Sequence, residues 1–208
     1  MTRRSELKHA SLTRILDAGS ARLRTEGLNG AAIAPVMKDA GLTHGAFYSH
    51  FADKEALEEA AFRHTFSAGR PWWVSKVSER SWPARLARLA QRYLQPRHRD
   101  DRAGGCAFTA LGADAARAPE RFRRAYADEL RKSLEAICAG SHDGPVRDVR
   151  DDDAIALMAL CVGGLTLARA VDDPALSERI LRVARQSAAT LGQRPVSPDP
   201  TKEPVHDR

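Results

Sequence analysis

Residues 43–49, THGAFYS, put hydrogen-bonding side chains on a segment too short and too polar to be a core helix. His44, Gly45, Tyr48 and Ser49 are polar or very small, whereas Ala46, Phe47 and Phe51 fall where an anchoring face would lie. A helix held by so few core contacts, with a bare amino end and an outer face of donors, suits insertion into a DNA major groove.

Such a helix has to be positioned by others. Ile33, Val36 and Met37 recur at helical spacing and predict the inward face of a helix over 33–39. Gly41 supplies the left-handed residue that ends it, Leu42 returns to the core, and Thr43 stands where a side-chain oxygen caps the next helix. Upstream, a helix over 8–26 turns Leu12, Ile15, Leu16, Ala18 and Leu23 inward and stops at Gly27, so that it backs the short one. Downstream, Asp53 is placed to cap a helix over 54–68, a lever toward the rest of the chain. Arg3 and Arg4 form a basic tip ahead of the first helix, either a flexible arm reaching phosphates or a solvated terminus.

The run AGLTHGAFYSHFADKEAL, residues 40–57, resembles the helix-turn-helix motif of TetR-type transcriptional regulators, and with the upstream helix the likeness covers about the first third of the chain. The resemblance implies an operator-reading head on a divergent carboxyl-terminal domain. Thr43, His44, Gly45, Tyr48 and His50 match the positions around the recognition helix that meet the operator, and Lys54 matches the lysine opening the next helix. Their chemistry fits: Thr43 and Tyr48 can donate to phosphates, His44 can reach a base edge, Gly45 permits close approach, and Lys54 offers a point charge beside helix-terminal amides. His50 can instead hold the end of the recognition helix. The chain departs from the family at Ala31 and Ala32, where threonine or serine is usual, and at Pro35, where a polar or acidic residue is usual. A cap and a phosphate contact are thereby lost, and Pro35 is tolerable because it lies in a first turn.

At 208 residues with 43% hydrophobic content, the chain suffices for one large or two small domains with a real core. No apolar run reaches membrane-spanning length and the amino end lacks a signal-peptide core, so the expected address is the cytoplasm and no membrane partner is implied. The net charge of +6 is compatible with a polyanionic partner without specifying one. Cys106, Cys138 and Cys161 are widely spaced, which predicts neither a metal site nor a disulfide, and no cofactor motif is present.

Strand patterns are absent and helical spacing recurs almost throughout, which predicts an all-α protein of about nine helices. The expected division is a DNA-binding domain over 1–52 with its motif at 32–51, a helical ligand-binding and dimerisation domain over 53–191, and a disordered tail over 192–208, rich in proline and charge. Gly69, Arg70 and Pro71 break the lever helix. Ser81, Trp82 and Pro83 read as the cap and first turn of a helix to 94, stopped by Pro96. Polar loops are expected over 98–105 and 141–153, with helices over 106–117 and 119–139 between them, the latter carrying Phe122, Tyr126, Leu130, Leu134 and Ile137 on one face. The last two helices, over 154–171 and 174–191, are apolar on several faces, as a homodimer interface or the centre of a monomeric bundle requires. Two copies on a twofold axis would read an inverted repeat in double-stranded DNA.

TetR-like proteins commonly hold a small-molecule inducer in this second domain, and Trp72, Trp73, Tyr93, Phe108, Phe122, Tyr126 and Met158 are its candidate walls, with core packing as the plainer role for each. Cys106 follows Gly104 and Gly105 at a helix start, where the dipole favours an anion, and GGCAFTALGADAAR resembles a subgroup in which some members sense electrophiles or oxidants. The alternatives are thus a redox-sensing repressor acting through Cys106, a non-specific DNA-binding protein, and an enzyme with Cys106 as nucleophile and His98 as base. The enzyme lacks an orienting third group and leaves the motif unexplained, so no catalytic activity is expected. Repression is favoured over activation because occupancy of a promoter by a compact dimer suffices for it.

Overall fold

The computed structural model describes residues 3–74, 77, 79, 81–139 and 147–193, apart from the side chains of 68–72. All regular elements among them are helical: α1 (Arg3–Glu26), a 3-10 turn (Leu28–Ala31), α2 (Ile33–Asp39), a 3-10 helix (His44–Ser49), α3 (Lys54–Val74), α4 (Trp82–Tyr93), α5 (Pro96–Asp100), α6 (Ala107–Ala115), α7 (Glu120–Cys138), α8 (Arg147–Ala170) and α9 (Pro174–Ala189). Helix α1 packs on α2 and α3, α3 runs on against α7, and α8 packs on α9, α7 and α6.

The turn after α2 is built as its sequence requires. Gly41 has φ of 65°, the Leu42 N–H donates to the Met37 carbonyl at 2.9 Å and the Gly41 N–H to that of Lys38 at 3.0 Å. These paired bonds satisfy carbonyls that a helix end leaves open. Asp53 caps α3 through a 2.6 Å bond from the Ala56 N–H, and Asp173 caps α9 by accepting from Ala175 and Leu176. The Thr43 and Ser81 side chains make no such bond, contrary to the expected caps. Ala32 opens α2 without a cap, and Pro35 sits in the first turn.

Four boundaries differ from the sequence reading. Helix α1 starts at Arg3 because nothing before residue 8 breaks helical propagation, so Arg3 and Arg4 lie in a helical turn rather than in a flexible arm. Helix α3 passes through Pro71 to Val74, because Trp73 and Val74 are buried and the Trp73 indole donates to the Leu89 carbonyl at 3.3 Å, so packing outweighs the local breakers. The expected loop over 98–105 begins inside α5, where the Arg169 guanidinium ties down the carbonyls of His98 and Arg99. Helix α8 begins at Arg147, its charged first turns held where Asp153 accepts a 2.8 Å bond from the buried Trp82 indole. Of the tail expected over 192–208, residues 194–208 lie outside the described residues.

Helix α8 is long and apolar enough by length and composition to cross a membrane, which the sequence reading denied. It is a core helix here: Leu157, Met158, Cys161 and Leu165 are buried. Gly164 lets α9 close on it, since a Cβ there would lie 2.9 Å from that of Ala184. The buried Arg85 crosses from α4 to donate to the carbonyls of Ile137 at 2.8 Å and Ala136 at 3.2 Å, finishing α7.

An added Cβ at Gly41 would have as its nearest neighbour Arg14 Nη1 at 3.7 Å, so space does not limit substitution there. Gly41→Ala is therefore expected to cost what left-handed backbone costs an alanine, about 1–2 kcal/mol, read as a lower urea midpoint with an unchanged slope. An unchanged midpoint would show that this turn does not set the end of α2.

Candidate nucleic-acid interface and adjoining cavity

The short helix His44–Ser49 is 3-10 in form and buries one side chain completely, Phe47. Phe51 stacks on that ring at 5.6 Å, and the Tyr48 ring meets it edge-on at 5.2 Å. With Phe47 pointing inward, Thr43, His44, Gly45 and Tyr48 are all exposed, and His44 and Tyr48 lie edge to face at 5.9 Å. Tyr48 is 64% exposed, unusual for a large ring in the free protein. The structure thus brings four of the expected contact residues onto one outward face.

His50 and Lys54 are placed differently. His50 is half-buried, with Nε2 2.9 Å from Ser11 Oγ, and since that hydroxyl donates to the Lys8 carbonyl at 2.9 Å, the imidazole is the donor. Burial, then the Lys8 charge, push its pKa down. It ties the end of the short helix to α1. Lys54 opens α3 beside the helix-terminal amides, but its ammonium already meets Glu58 at 2.7 Å, so a phosphate would have to share it. Sequence reasoning missed three residues of α1: Ser11, which meets His50, the exposed Lys8, whose charge acts on that ring, and the exposed Arg14 beside the Gly41 turn. Only the tertiary placement of α1 identifies them.

A cavity of about 500 Å³ lies among α3, α4, the α5–α6 segment and α8. Of the residues the sequence singles out, Trp73, Tyr93, His98, Cys106, Phe108 and Met158 line it, and Thr65, Phe66, Arg97, Asp101 and Ser133, which it does not single out, join them. Phe122 and Tyr126 do not line it. Phe122 is spent on packing 5.1 Å from Phe62, and Tyr126 stacks on Phe62 at 5.6 Å and donates to the Phe108 carbonyl at 3.3 Å. Burial, then Cys106, push the Tyr126 phenol up to about 12. The Trp72 side chain lies outside the described residues.

His98 is buried, with its Nδ1–H donating to the Tyr93 carbonyl at 2.7 Å and its ring edge-on to Tyr93 at 4.6 Å. Burial lowers its pKa and outweighs the carbonyl bond, which acts the other way. The Tyr93 hydroxyl is within 3.1 Å of Thr109 Oγ1, and burial, then Cys106, hold the phenol neutral. Cys106 stands at the amino-terminal cap of α6, half-buried on the cavity wall. The segment before it is fastened from two sides: Arg169 donates to the carbonyls of His98 at 2.7 Å and Asp101 at 3.2 Å, and Arg24 of α1 donates to that of Ala103. The Leu28 N–H donates to Asp114 of α6 at 3.0 Å.

The family model described as bacterial regulatory proteins, tetR family, matches residues 15–61, and that of the tetracyclin repressor-like C-terminal domain matches residues 83–184. No curated protein sequence matches significantly. Among solved structures, the reduced form of NemR from E. coli is similar with a TM-score of 0.67 and 20% identity, over 87% of this chain and 96% of that one. A TetR-family regulator from Cytophaga hutchinsonii has a TM-score of 0.67 at 18% identity, over 94% and 99%. FadR from Bacillus subtilis in complex with stearoyl-CoA has a TM-score of 0.59 at 14% identity, over 83% and 97%. At these identities the structural likeness concerns the fold.

His98 and His50 both titrate below the ordinary value of 6.5 in the fold. The unfolded chain then binds more protons than the folded one below that pH, so stability is full above it and falls as pH drops further. Thermal midpoints are expected to decline from pH 7.5 to 5.5, with a shallower decline in His98→Asn. An equal decline in that variant would show that His98 does not carry the linkage.

Proposed function

The chain belongs to the TetR family of bacterial DNA-binding transcriptional regulators, and from that premise we propose that it is a homodimeric repressor, released from an inverted-repeat operator by a small molecule held in its central cavity. The family is one of regulators, generally not enzymes. The observation that carries the reading is the reading helix itself, whose polar residues face outward while Phe47 alone is fully buried behind them. Thr43, His44, Gly45 and Tyr48 are the proposed groove and phosphate contacts, Lys54 a shared phosphate clamp, and His50 the residue that positions them. Residues 1–52 would then form the reading head and 53–191 the sensing and pairing body.

Pairing is supported by apolar side chains with no cover. Leu167, Leu176 and Val183 are exposed on α8 and α9 along a shallow groove also lined by Leu160, Gly163 and Ile180, and Ile155 is exposed elsewhere on α8. Continuous apolar surface of this kind marks an association site, and a second copy covers it self-complementarily about a twofold axis. Sensing is supported by the cavity's size, ordinary for small-molecule sites. A ligand that modifies Cys106 would act from the same wall, but binding there needs no covalent step.

The test is binding of the purified protein to the DNA flanking its own gene, against excess random DNA. An inverted repeat should be protected, and His44→Ala and Tyr48→Ala should each weaken it at least tenfold, the scale of a lost base contact of about 1–3 kcal/mol. Gly45→Ala separates reading from folding: its added methyl meets nothing within 4 Å, so thermal stability should hold while operator affinity drops. Variants that bind like the wild type would sink the reading. For pairing, Leu167→Glu with Val183→Glu should sediment as a monomer and lose at least tenfold in operator affinity; a double variant that stays dimeric would place the interface elsewhere.

A further inference from the structure

The central cavity has two unlike ends. Its polar end is the α5–α6 segment, where Arg97 and Asp101 reach the lining and the Arg169 guanidinium lies behind, bound to the carbonyls of His98 and Asp101. Two guanidiniums against one carboxylate make that end net positive, a field that favours an anion. Its apolar end includes Phe108 and Met158. Met158 and Arg169 are both on α8, about 16 Å apart along the axis at 1.5 Å rise per residue.

A second cavity, of about 220 Å³, shares Phe108 and Met158 with the first and is lined beyond them by Leu130, Leu134, Ile155 and Val162. The one hydroxyl on its lining, that of Tyr126, is satisfied by the Phe108 carbonyl. A lining of this kind, open to the surface at Ile155, suits hydrocarbon better than water. Met158 is the adaptable part of the shared wall, being unbranched with three rotatable bonds.

Building on the ligand-responsive reading, we propose that the two cavities form one site for an elongated monoanionic amphiphile, a medium-chain carboxylic acid in its simplest form. The carboxylate sits at the Arg97 end, the chain runs past Phe66 and Trp73, and Met158 swings aside so that the chain end enters the second cavity. A compact ligand leaves that cavity unused, and a cationic head of the same length meets a net positive end, since Asp101 offsets only one of the two guanidiniums.

Calorimetry on the full-length protein, without DNA, tests this with butanoate, octanoate, dodecanoate and dodecyltrimethylammonium. Affinity should rise steeply with chain length, by up to about fourfold per buried methylene, leaving dodecanoate at least tenfold tighter than octanoate and the cation at least tenfold weaker than dodecanoate. Leu130→Phe narrows the second cavity from α7 and Val162→Phe from α8. Each should leave octanoate binding unchanged, which also reports an intact fold, and erase the advantage of dodecanoate. Dodecanoate binding equally well to wild type and to both folded variants, a cation that binds as tightly, or no binding of any probe would overturn the proposal. Because no DNA is present, the two readings fail separately: chain-length-dependent binding by a protein that protects no inverted repeat would sink the regulator and leave this site standing.

Discussion

A helix of six residues cannot hold its shape alone in water, because fixing its first turn costs more than its few backbone bonds return. The outward face at residues 43–48 therefore exists only through what lies behind and beside it. Phe47 supplies the anchor, and fully burying such a ring contributes about 1.5–3 kcal/mol. The Gly41 turn fixes where the segment enters, and the bond between His50 and Ser11 fixes where it leaves. With folding assigned to those groups, Thr43, His44, Gly45 and Tyr48 carry little structural duty, and their side chains can answer to a partner alone.

Helix α3 carries this arrangement into the rest of the molecule, and two kinds of contact divide the work. Apolar contact supplies the strength: Phe62 lies 5.2 Å from Phe66 and 5.1 Å from Phe122, and Phe66 lies 4.6 Å from Phe108. Such aromatic pairs are each worth about 0.5–1.5 kcal/mol beyond their burial. Ion pairs supply the register. Arg63 reaches Glu59 at 3.1 Å and Asp128 at 3.0 Å, while Arg121 reaches Glu59 at 2.8 Å and Asp53, the cap of α3, at 3.4 Å. Arg121, then Arg63, hold the Glu59 carboxyl below its usual range. Half-exposed pairs of this sort stabilise little, but Arg63–Asp128 and Arg121–Glu59 join α3 to α7 at one register, and Asp53 brings that register to the edge of the reading helix.

What the sequence disclosed followed from local chemistry. The glycine at 41, the cap at Asp53, the anchoring of Phe47 and the all-helical class each depend on neighbours in the chain, and each could be read from them. What it concealed depends on contacts between distant segments. Gly69 and Pro71 look like a helix end until Trp73 is seen buried against α4, and the charged run after residue 146 looks like a loop until Asp153 is paired with Trp82. The candidate cavity followed the same rule: aromatic character marked Trp73, Tyr93 and Phe108, but it marked Phe122 equally, and only packing separates wall from core. Asp101 reads as part of a polar loop because nothing in sequence links that loop to Arg169.

The same distant contacts limit how a cavity occupant could influence the reading face. A ligand shifts an equilibrium only by binding one arrangement better than another, so it must meet something that has two arrangements. The α5–α6 segment and α6 are walls placed for this, because they are bonded to the end of α1 and to the turn after it, through Arg24 to the Ala103 carbonyl and through the Leu28 N–H to Asp114, while α3, also a wall, packs along α1. If either wall shifts, those bonds must break or α1 must follow. Arg24 and Ser11 stand about 20 Å apart along α1 at 1.5 Å per residue, so a small tilt imposed at Arg24 becomes a larger displacement at Ser11. Ser11 holds His50, and His50 holds the end of the reading helix. The bond that shapes the reading face in the free protein is thus also the point at which a tilt of α1 would disturb it.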